Sequence, residues 1–287
     1  MNGADEEAAA FCAAAVREHE FPRYAATLFA APEQRRALLA LYAFAGELAR
    51  VRDHVTQPLP GEIRLQWWID ALTGEGHGGT EGHPVLAELK RATARFDLPV
   101  DDLTRIVDAW LFDLYDDPIP TEAALDAQFA GTRSQLFRLG AQVCGGKSLA
   151  VSAELIRHAG LAEGLAWMIA MLPRHASRRQ LYLPGELLEL NGVPTADLFA
   201  GKATPALRRV IAYLVHEARN HLAAVADGLD AAPGELHPAF LPLAGVGRQL
   251  ARLERVEFDP FRAAPSSRLA ILWAAWRAAR DIRRLAA

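Results

Sequence analysis

Apolar residues recur at helical spacing along almost the whole 287-residue chain. In LYAFAGELARVRD (41–53), for example, Leu41, Ala45 and Leu48 fall on one side at intervals of four and three. Strong helix formers dominate, and the β-branched alternation that is typical of strands is scarce. The sequence therefore predicts an all-α fold, with helices over 4–20, 32–54, 60–73, 84–96, 100–115, 121–144, 149–172, 204–229, 239–256 and 267–285.

Two stretches interrupt this pattern. TGEGHGGTEGHP (73–84) contains five glycines, but it lacks the GxxxxGK[ST] motif of a phosphate-binding loop and no strand precedes it. We interpret it as a helix–helix connection, and GLDAAPGELHP (228–238) as a second linker. Neither divides the chain, so we expect one domain over 1–287, with the N-terminal helix (1–22) as a candidate peripheral element.

Charge and composition exclude several protein classes. A net charge of −4 and a pI near 6.2 argue against nucleic-acid binding, which usually requires a basic face. Cys12 and Cys144 are far apart and fit a reducing compartment without disulfides. The acidic N-terminus does not resemble a signal peptide, and no window of about eighteen residues is uniformly apolar. We therefore expect a cytoplasmic protein.

Asp53 is the first candidate for chemistry. Acids at positions i and i+4 of a helix share a face and can hold Mg²⁺ together, but Ala49 stands four residues before Asp53. Glu47 is six residues away and points elsewhere. The simplest interpretation is a polar helix end paired with Arg50, and a lone metal ligand is the alternative.

A second acidic group lies in LFDLYDDP (111–118). Asp113 is spaced to share a helix face with Asp116 or Asp117, which permits an Mg²⁺ site. A solvated helix C-terminus is the simpler interpretation. Acids oppose the helix dipole at that end, and this favours a functional reason for them.

The stretch PRHASRRQLYLP (173–184) is strongly basic, with four titratable side chains within six residues: Arg174, His175, Arg178 and Arg179. Arginines bind phosphates and carboxylates through paired hydrogen bonds. The cluster therefore predicts a clamp for a diphosphate, an acidic partner or an anionic membrane surface, with a solvated basic face as the alternative. His175 is a candidate base, although an isolated histidine is more often structural.

The tryptophans are informative about packing. Trp67 and Trp68 are adjacent, so their side chains diverge by about 100° and we expect only one in the core. Trp273 and Trp276 are three residues apart and share a face, which we interpret as core packing.

Five segments, in this order, resemble the squalene/phytoene synthase family: YAATLFAAPEQRRALLALYAF (24–44), RLQWW (64–68), GHPVLAEL (82–89), IVDAWLFDL (106–114) and QLYLP (180–184). The resemblance covers nearly the whole chain. It implies an isoprenoid-synthase-like bundle of helices around a central cavity.

The same resemblance shows departures from the active members. Their DDxxD motif after YAF is matched here by Ala49, Arg50 and Asp53, so one acid remains. Their DxxxD motif before YLP is matched by Met171 and His175, with a helix-breaking proline at 173 between them. A tyrosine of the catalytic relatives is replaced in the segment that holds Gln128 and Phe129.

Further segments resemble the branch of the family that contains a mitochondrial complex I assembly factor: ELARVRD (47–53), EIRLQWW (62–68), LLELNGV (187–193), HPAFLPL (237–243) and RLERVEFDPF (252–261). That branch implies a non-catalytic assembly or interaction factor without a cofactor. It further implies complex I subunits as protein partners and a peripheral position on the inner membrane.

Two alternatives remain. The first is a prenyl diphosphate transferase with an altered site, in which Asp53 and Asp113 bind Mg²⁺ and His175 takes part in catalysis. The second is a protein that binds a prenyl diphosphate without converting it. In either case the candidate substrate-binding residues are Arg50, Arg174, Arg178, Arg179 and Tyr182.

Overall fold

The computed structural model describes residues 3–74, 82–146, 151–255, 259–262 and 266–286, and these parts contain helices and no strand. The α-helices, in chain order, are α1 Gly3–His19, α2 Phe21–Thr27, α3 Pro32–Arg50, α4 Pro58–Thr73, α5 Pro84–Phe96, α6 Val100–Ala109, α7 Glu122–Phe129, α8 Gln135–Gly145, α9 Ala153–Ala170, α10 Leu172–Ser177, α11 Gly185–Leu190, α12 Thr195–Phe199, α13 Pro205–Asp230, α14 His237–Phe240, α15 Val246–Leu253 and α16 Arg268–Arg280. The predicted all-α class is confirmed.

Helix starts follow from local sequence. Pro32, Pro58, Pro84 and Pro205 each occupy the first turn of a helix, where the missing N–H costs nothing and the fixed φ angle is already helical. Helix α13 also begins with the Thr204 hydroxyl accepting a hydrogen bond from the Leu207 N–H. Punctuation by proline and capping residues thus explains why most long helices begin where the sequence predicts.

Several predicted helices are shorter than expected or divided. Those predicted over 32–54 and 267–285 end at Arg50 and Arg280 and are followed by 3₁₀ turns, and the helix predicted over 121–144 is divided by residues 130–134. The helix predicted over 100–115 ends at Ala109 and continues as the 3₁₀ turn Trp110–Leu114, with the Ala109 carbonyl accepting a hydrogen bond from Gln128. The helix predicted over 239–256 is divided into α14, the 3₁₀ turn Leu241–Gly245 and α15. Pro242 lies inside that turn, and proline cannot continue a helical ladder. Within the predicted loop 73–84, residues 75–81 lie outside the described ranges.

The core forms around α3, α9 and α13. Helix α9 packs along α13, while α3 lies between α1, α5 and α8. Side chains of α3 such as Leu38, Leu41 and Phe44 are fully buried. The N-terminal helix α1 contacts α3 and α5 through Ala8, Cys12 and Val16.

A π-turn, Ala130–Ser134, joins α7 to α8 and lies against α9. Glycine is required on α9 because a Cβ at Gly160 would lie 2.8 Å from the Ser134 backbone nitrogen. One turn on, a Cβ at Gly164 would lie 2.5 Å from the Phe129 ring. These two glycines let α9 approach the π-turn closely, and this approach brings the polar groups of both elements together.

The tryptophan pairs differ from each other in burial. Trp68 is buried and Trp67 is partly exposed, as the 100° divergence predicts. Trp273 and Trp276 do share a face, but the prediction that they pack in the core is wrong, because both are exposed on α16.

No helix in the described parts of the chain is long and apolar enough to cross a membrane.

Candidate functional site

Asp53 is paired with two arginines that lie more than a hundred residues away in the sequence. Its Oδ1 accepts a hydrogen bond from Arg178 Nη1 at 2.5 Å, and its Oδ2 pairs with Arg174 Nη2. The predicted Arg50–Asp53 pair is therefore wrong. Arg50 ends α3 with its guanidinium folded back over Gly46, and its charge acts on the carboxylates of Glu47 and Glu20.

The two arginines keep Asp53 ionised. Burial on its own would raise the pKa of Asp53, but hydrogen bonds from Arg174 and Arg178 outweigh it and hold the pKa below its ordinary value. Two arginines of the basic stretch thus pair with a carboxylate of the same chain. Arg179 lies apart from this cluster, with its guanidinium 4.9 Å from the centre of the Phe199 ring.

Asp116 forms a second arginine–carboxylate contact beside the first. Its Oδ2 lies 2.5 Å from Arg52 Nη2, and its Oδ1 accepts a hydrogen bond of 2.7 Å from Gln180 Nε2. Burial raises the pKa of Asp116, but these two hydrogen bonds outweigh it and lower the pKa overall. Asp116 adopts a left-handed φ of 54°, so it does not continue a helix face with Asp113.

Asp113 lies inside the protein, where it accepts a hydrogen bond from the Tyr182 hydroxyl. Its Oδ1 has no hydrogen-bond partner among the described residues. Burial is the main cause that raises the pKa of Asp113 to about 6. The predicted solvated helix end is therefore wrong for Asp113, since the 3₁₀ turn directs this side chain inwards.

His175 packs among aromatic rings. Its ring stacks on Tyr182 with centroids 4.3 Å apart and lies edge-on to Trp167. Burial, followed by the charges of Arg174 and Arg178, lowers the pKa of His175 to about 4, so the ring is neutral at pH 7. The contacts of His175 are those of a packed aromatic side chain.

The structure thus brings Asp53, Asp113, His175 and Tyr182 into one region, but it does not make them a magnesium site. Both oxygens of Asp53 are held by arginines, and Asp113 is buried against Tyr182. Within the described ranges, no group of three or more His, Cys, Asp or Glu side chains is arranged to hold a metal ion. These residues therefore do not fit the carboxylate-bridged Mg²⁺ cluster that the family resemblance implies.

A cavity of about 60 Å³ lies next to this region, which is room for a few water molecules. Sites for small-molecule ligands usually measure about 300–1,000 Å³. None of Asp53, Asp113, His175 and Tyr182 lines the cavity. Its lining residues are Glu20, Arg23, Tyr42, Ala45, Gly46, Ala49, Ile106, Trp110, Thr132, Arg133, Leu136 and Trp167.

A network of buried charges beside this cavity was missed by sequence reasoning. Glu163 Oε2 pairs with Arg23 Nη2 at 2.5 Å and with Arg133 Nη1 at 3.2 Å. Arg133 also stacks 4.4 Å over Trp167. Glu20 lines the same cavity, and its Oε2 lies 3.9 Å from Arg23 Nε. The signal in the sequence was Glu163 itself, a lone acid in the apolar run LAEGLAWMIAM (161–171).

We expect Asp53→Asn to lower the free energy of unfolding at pH 7 by about 1–2 kcal/mol, because Arg174 and Arg178 lose their charged acceptor. Asp117→Asn is the matched control, since Asp117 is exposed and follows Asp116 directly in the chain. Because the pKa of Asp53 is lowered in the folded state, its contribution is present above the ordinary aspartate pKa and is lost at more acidic pH. Urea titrations at pH 7 and pH 3.5 measure both effects, and equal losses for the two variants would contradict the assignment.

Comparison with known proteins adds family information to this geometry. A sequence model described as squalene/phytoene synthase matches residues 16–277. The chain is 30% identical over 251 residues to the NADH dehydrogenase (ubiquinone) complex I assembly factor 6 of Rattus norvegicus. The matched residues make up 88% of this chain and 75% of that relative. It is 32% identical over 203 residues to the presqualene diphosphate synthase of Zymomonas mobilis, and the match covers 67% of this chain and 66% of that enzyme.

Solved structures agree with the predicted fold. A dehydrosqualene synthase in complex with ligand superposes with a TM-score of 0.78 over 96% of this chain and 98% of its own, at 14% identity. A squalene synthase from Alicyclobacillus acidocaldarius superposes with a TM-score of 0.68 over 98% of this chain and 96% of its own, at 19% identity. The predicted isoprenoid-synthase-like bundle is confirmed.

Proposed function

Since the chain belongs to the squalene/phytoene synthase family, we propose that it uses the synthase fold without prenyl transfer, as a factor that assists the assembly of respiratory complex I. The observation that carries this proposal is the pairing of Asp53 with Arg174 and Arg178. The last acid of the first motif is bound to arginines from the segment where the second acidic motif is expected. The site thereby exchanges metal ligands for an internal ion pair.

The chemistry of prenyl transfer supports this choice. Ionisation of a prenyl diphosphate requires divalent cations bridged by several carboxylates to stabilise the leaving group. Ala49, Met171 and His175 supply no such ligand, and the oxygens of Asp53 are occupied. A cavity of about 60 Å³ has no room for two prenyl chains in this conformation. The named relatives with the higher coverage are complex I assembly factors.

A head-to-head prenyl transferase is the second candidate. Similarity to the presqualene diphosphate synthase of Zymomonas mobilis favours it, together with the retained Asp53 and the nearby arginines. Arg174 and Arg178 would then bind a diphosphate after releasing Asp53. The two candidates differ in what the cell loses when the gene is deleted.

We expect deletion of the gene to lower NADH:ubiquinone oxidoreductase activity in membranes and to leave the isoprenoid products of the cell unchanged. The wild-type gene restores the activity, and the Asp53→Ala variant restores it as well, because the proposed role needs no metal ligand. Membrane assays and lipid extracts from the same cultures give both readings. Loss of a C30 or C40 isoprenoid with normal complex I activity would replace the first candidate by the second.

The purified protein separates catalysis from binding. We expect no condensation of farnesyl or geranylgeranyl diphosphate with Mg²⁺ above a no-protein control. Calorimetry with the same diphosphates, with and without Mg²⁺, then tests whether the chain binds them unconverted. Enzyme-like turnover that is abolished by Asp53→Ala would overturn the non-catalytic assignment.

A further inference from the structure

Helix α16 presents its largest apolar side chains to solvent. Leu269, Trp273 and Trp276 follow one another at intervals of four and three residues, and their exposed fractions are 79%, 52% and 37%. The fully buried residues of α16 are Ala275 and Ala278, and Ile271 and Leu272 are partly buried against the core. The helix therefore carries a second apolar face on its solvent side, where an ordinary surface helix carries polar residues. We call the three exposed residues the α16 ridge.

The two tryptophans of the ridge contact each other. The Trp273 and Trp276 rings stack with centroids 4.8 Å apart and an interplanar angle of 23°. Arg280 continues the same stripe one turn later, and its guanidinium lies 4.1 Å from the centre of the Trp276 ring. The two rings therefore hold each other on the outside of the helix, although burial of such side chains would stabilise a protein.

Positive charge surrounds the ridge. Residues 266–286 contain five arginines and one aspartate, a net charge of +4, whereas the whole chain carries −4. The arginines stand at both ends of the helix and in the following 3₁₀ turn, as Arg268, Arg277, Arg280, Arg283 and Arg284. Arg283 pairs with Asp230 and Arg284 pairs with Asp281, so the positive charge beside the ridge comes from Arg268, Arg277 and Arg280 of α16. The remainder of the chain is acidic.

We propose that the α16 ridge docks this protein onto an anionic membrane surface. Tryptophan favours the boundary between lipid headgroups and acyl chains, and arginine extends its charge to the headgroups while its stem lies on apolar surface. A helix with an apolar ridge and flanking positive charge lies in the plane of such an interface. The ridge is exposed, and Arg268, Arg277 and Arg280 of the same helix place positive charge beside it, which fits an anionic lipid surface.

This inference does not depend on the proposed function. A membrane-docked protein can assist a membrane complex or act on lipid substrates, so the failure of one proposal leaves the other standing. A partner protein that covers the ridge in place of lipid is the competing occupant, and the experiment below separates the two.

The test is vesicle flotation of the full chain. We expect the wild type to float with phosphatidylcholine vesicles that contain 30% phosphatidylglycerol, and to stay unbound with phosphatidylcholine alone. Trp273→Ser with Trp276→Ser is expected to weaken binding to the anionic vesicles at least tenfold, because the inserted apolar surface is lost. The control is Leu59→Ser with Ile63→Ser on α4, an apolar pair that is four residues apart and more exposed than the two tryptophans.

Charge is tested in the same assay. Arg277→Gln with Arg280→Gln is expected to weaken binding about tenfold or more, since each basic residue near an anionic surface contributes about fivefold in affinity. Arg157→Gln with Arg262→Gln removes the same charge from other elements, and we expect little change. Thermal unfolding of each variant confirms that it is folded, because all four positions are at least partly exposed.

Three results would overturn the proposal: no flotation of the wild type, equal binding to neutral and anionic vesicles, or equal losses in the ridge and control variants. A wild type that does not float, together with ridge variants that fail to restore complex I activity in the deletion strain, would mean that the ridge contacts a protein in place of lipid.

Discussion

Glu163→Gln is expected to lower the free energy of unfolding by about 3–5 kcal/mol. Glu163 is 13% exposed and is the carboxylate between Arg23 and Arg133, which are 5% and 16% exposed. Glutamine keeps the shape but removes the charge, so two largely buried guanidinium groups lose their counter-ion. Arg23 already has one nitrogen, Nη1, without a hydrogen-bond partner among the described residues, and its other carboxylate neighbour, Glu20, lies farther away, with Oε2 at 3.9 Å from Arg23 Nε.

Asp126→Asn is the matched control for this prediction. Asp126 also pairs with an arginine, Arg157, at 2.8 Å, but both side chains are well exposed. Exposed pairs contribute about 0–1 kcal/mol, so we expect a loss below 1 kcal/mol. Urea unfolding at pH 7 of the wild type and the two variants measures the difference. A loss below about 1.5 kcal/mol for Glu163→Gln would show that solvent or a neighbouring group compensates the arginines.

Asp113→Asn is expected to act in the opposite direction and raise the free energy of unfolding at pH 7.5 by about 1–2 kcal/mol. The pKa of Asp113 is raised to about 6 in the folded state, chiefly by burial, so an ionised carboxylate at pH 7.5 destabilises the protein. Asparagine still accepts the Tyr182 hydrogen bond. Its amide takes the unpartnered Oδ1 position, where a neutral group costs less than a charge.

The pH dependence identifies the cause. As pH falls from 7.5 through 6 towards 4, native Asp113 takes up a proton before the unfolded chain does, and the wild type gains stability relative to the variant. The advantage of Asp113→Asn therefore disappears near pH 4. His175, whose pKa is lowered, is present in both proteins and does not enter the difference. Unfolding titrations at pH 7.5, 6 and 4 measure the difference in free energy of unfolding between the variant and the wild type. A difference that is constant with pH would contradict the raised pKa of Asp113.

Asp53→Asn and Asp113→Asn thus change stability with opposite signs, although both remove a carboxylate from one region. Asp53 is paired with two arginines and stabilises the fold, whereas Asp113 is buried with a single donor from Tyr182. The environment of each acid, and not its residue type, decides the sign. A single acid in a sequence pattern carries no information about that environment.

Much of the fold was predictable because helical spacing is a local property. Helix α5 begins and ends where the pattern places it, and α1, α4 and α13 agree within two residues. The pattern failed at Ala109 and between Phe240 and Val246, where long-range hydrogen bonding or an internal proline ends the helix. Short helices such as α10 and α12 were not separated, because five or six residues contain too little periodicity.

By itself, the sequence determined the helical class, the family resemblance and the absence of the metal-binding acids, since each of these is carried by residue identity and spacing. Only the tertiary structure decided the partners of Asp53, the burial of Asp113 and the network of Glu163, because these contacts join residues up to 140 positions apart. It also decided the exposure of Trp273 and Trp276. Helical periodicity fixes which side chains share a face, but the neighbouring helices decide whether that face meets the core or the solvent.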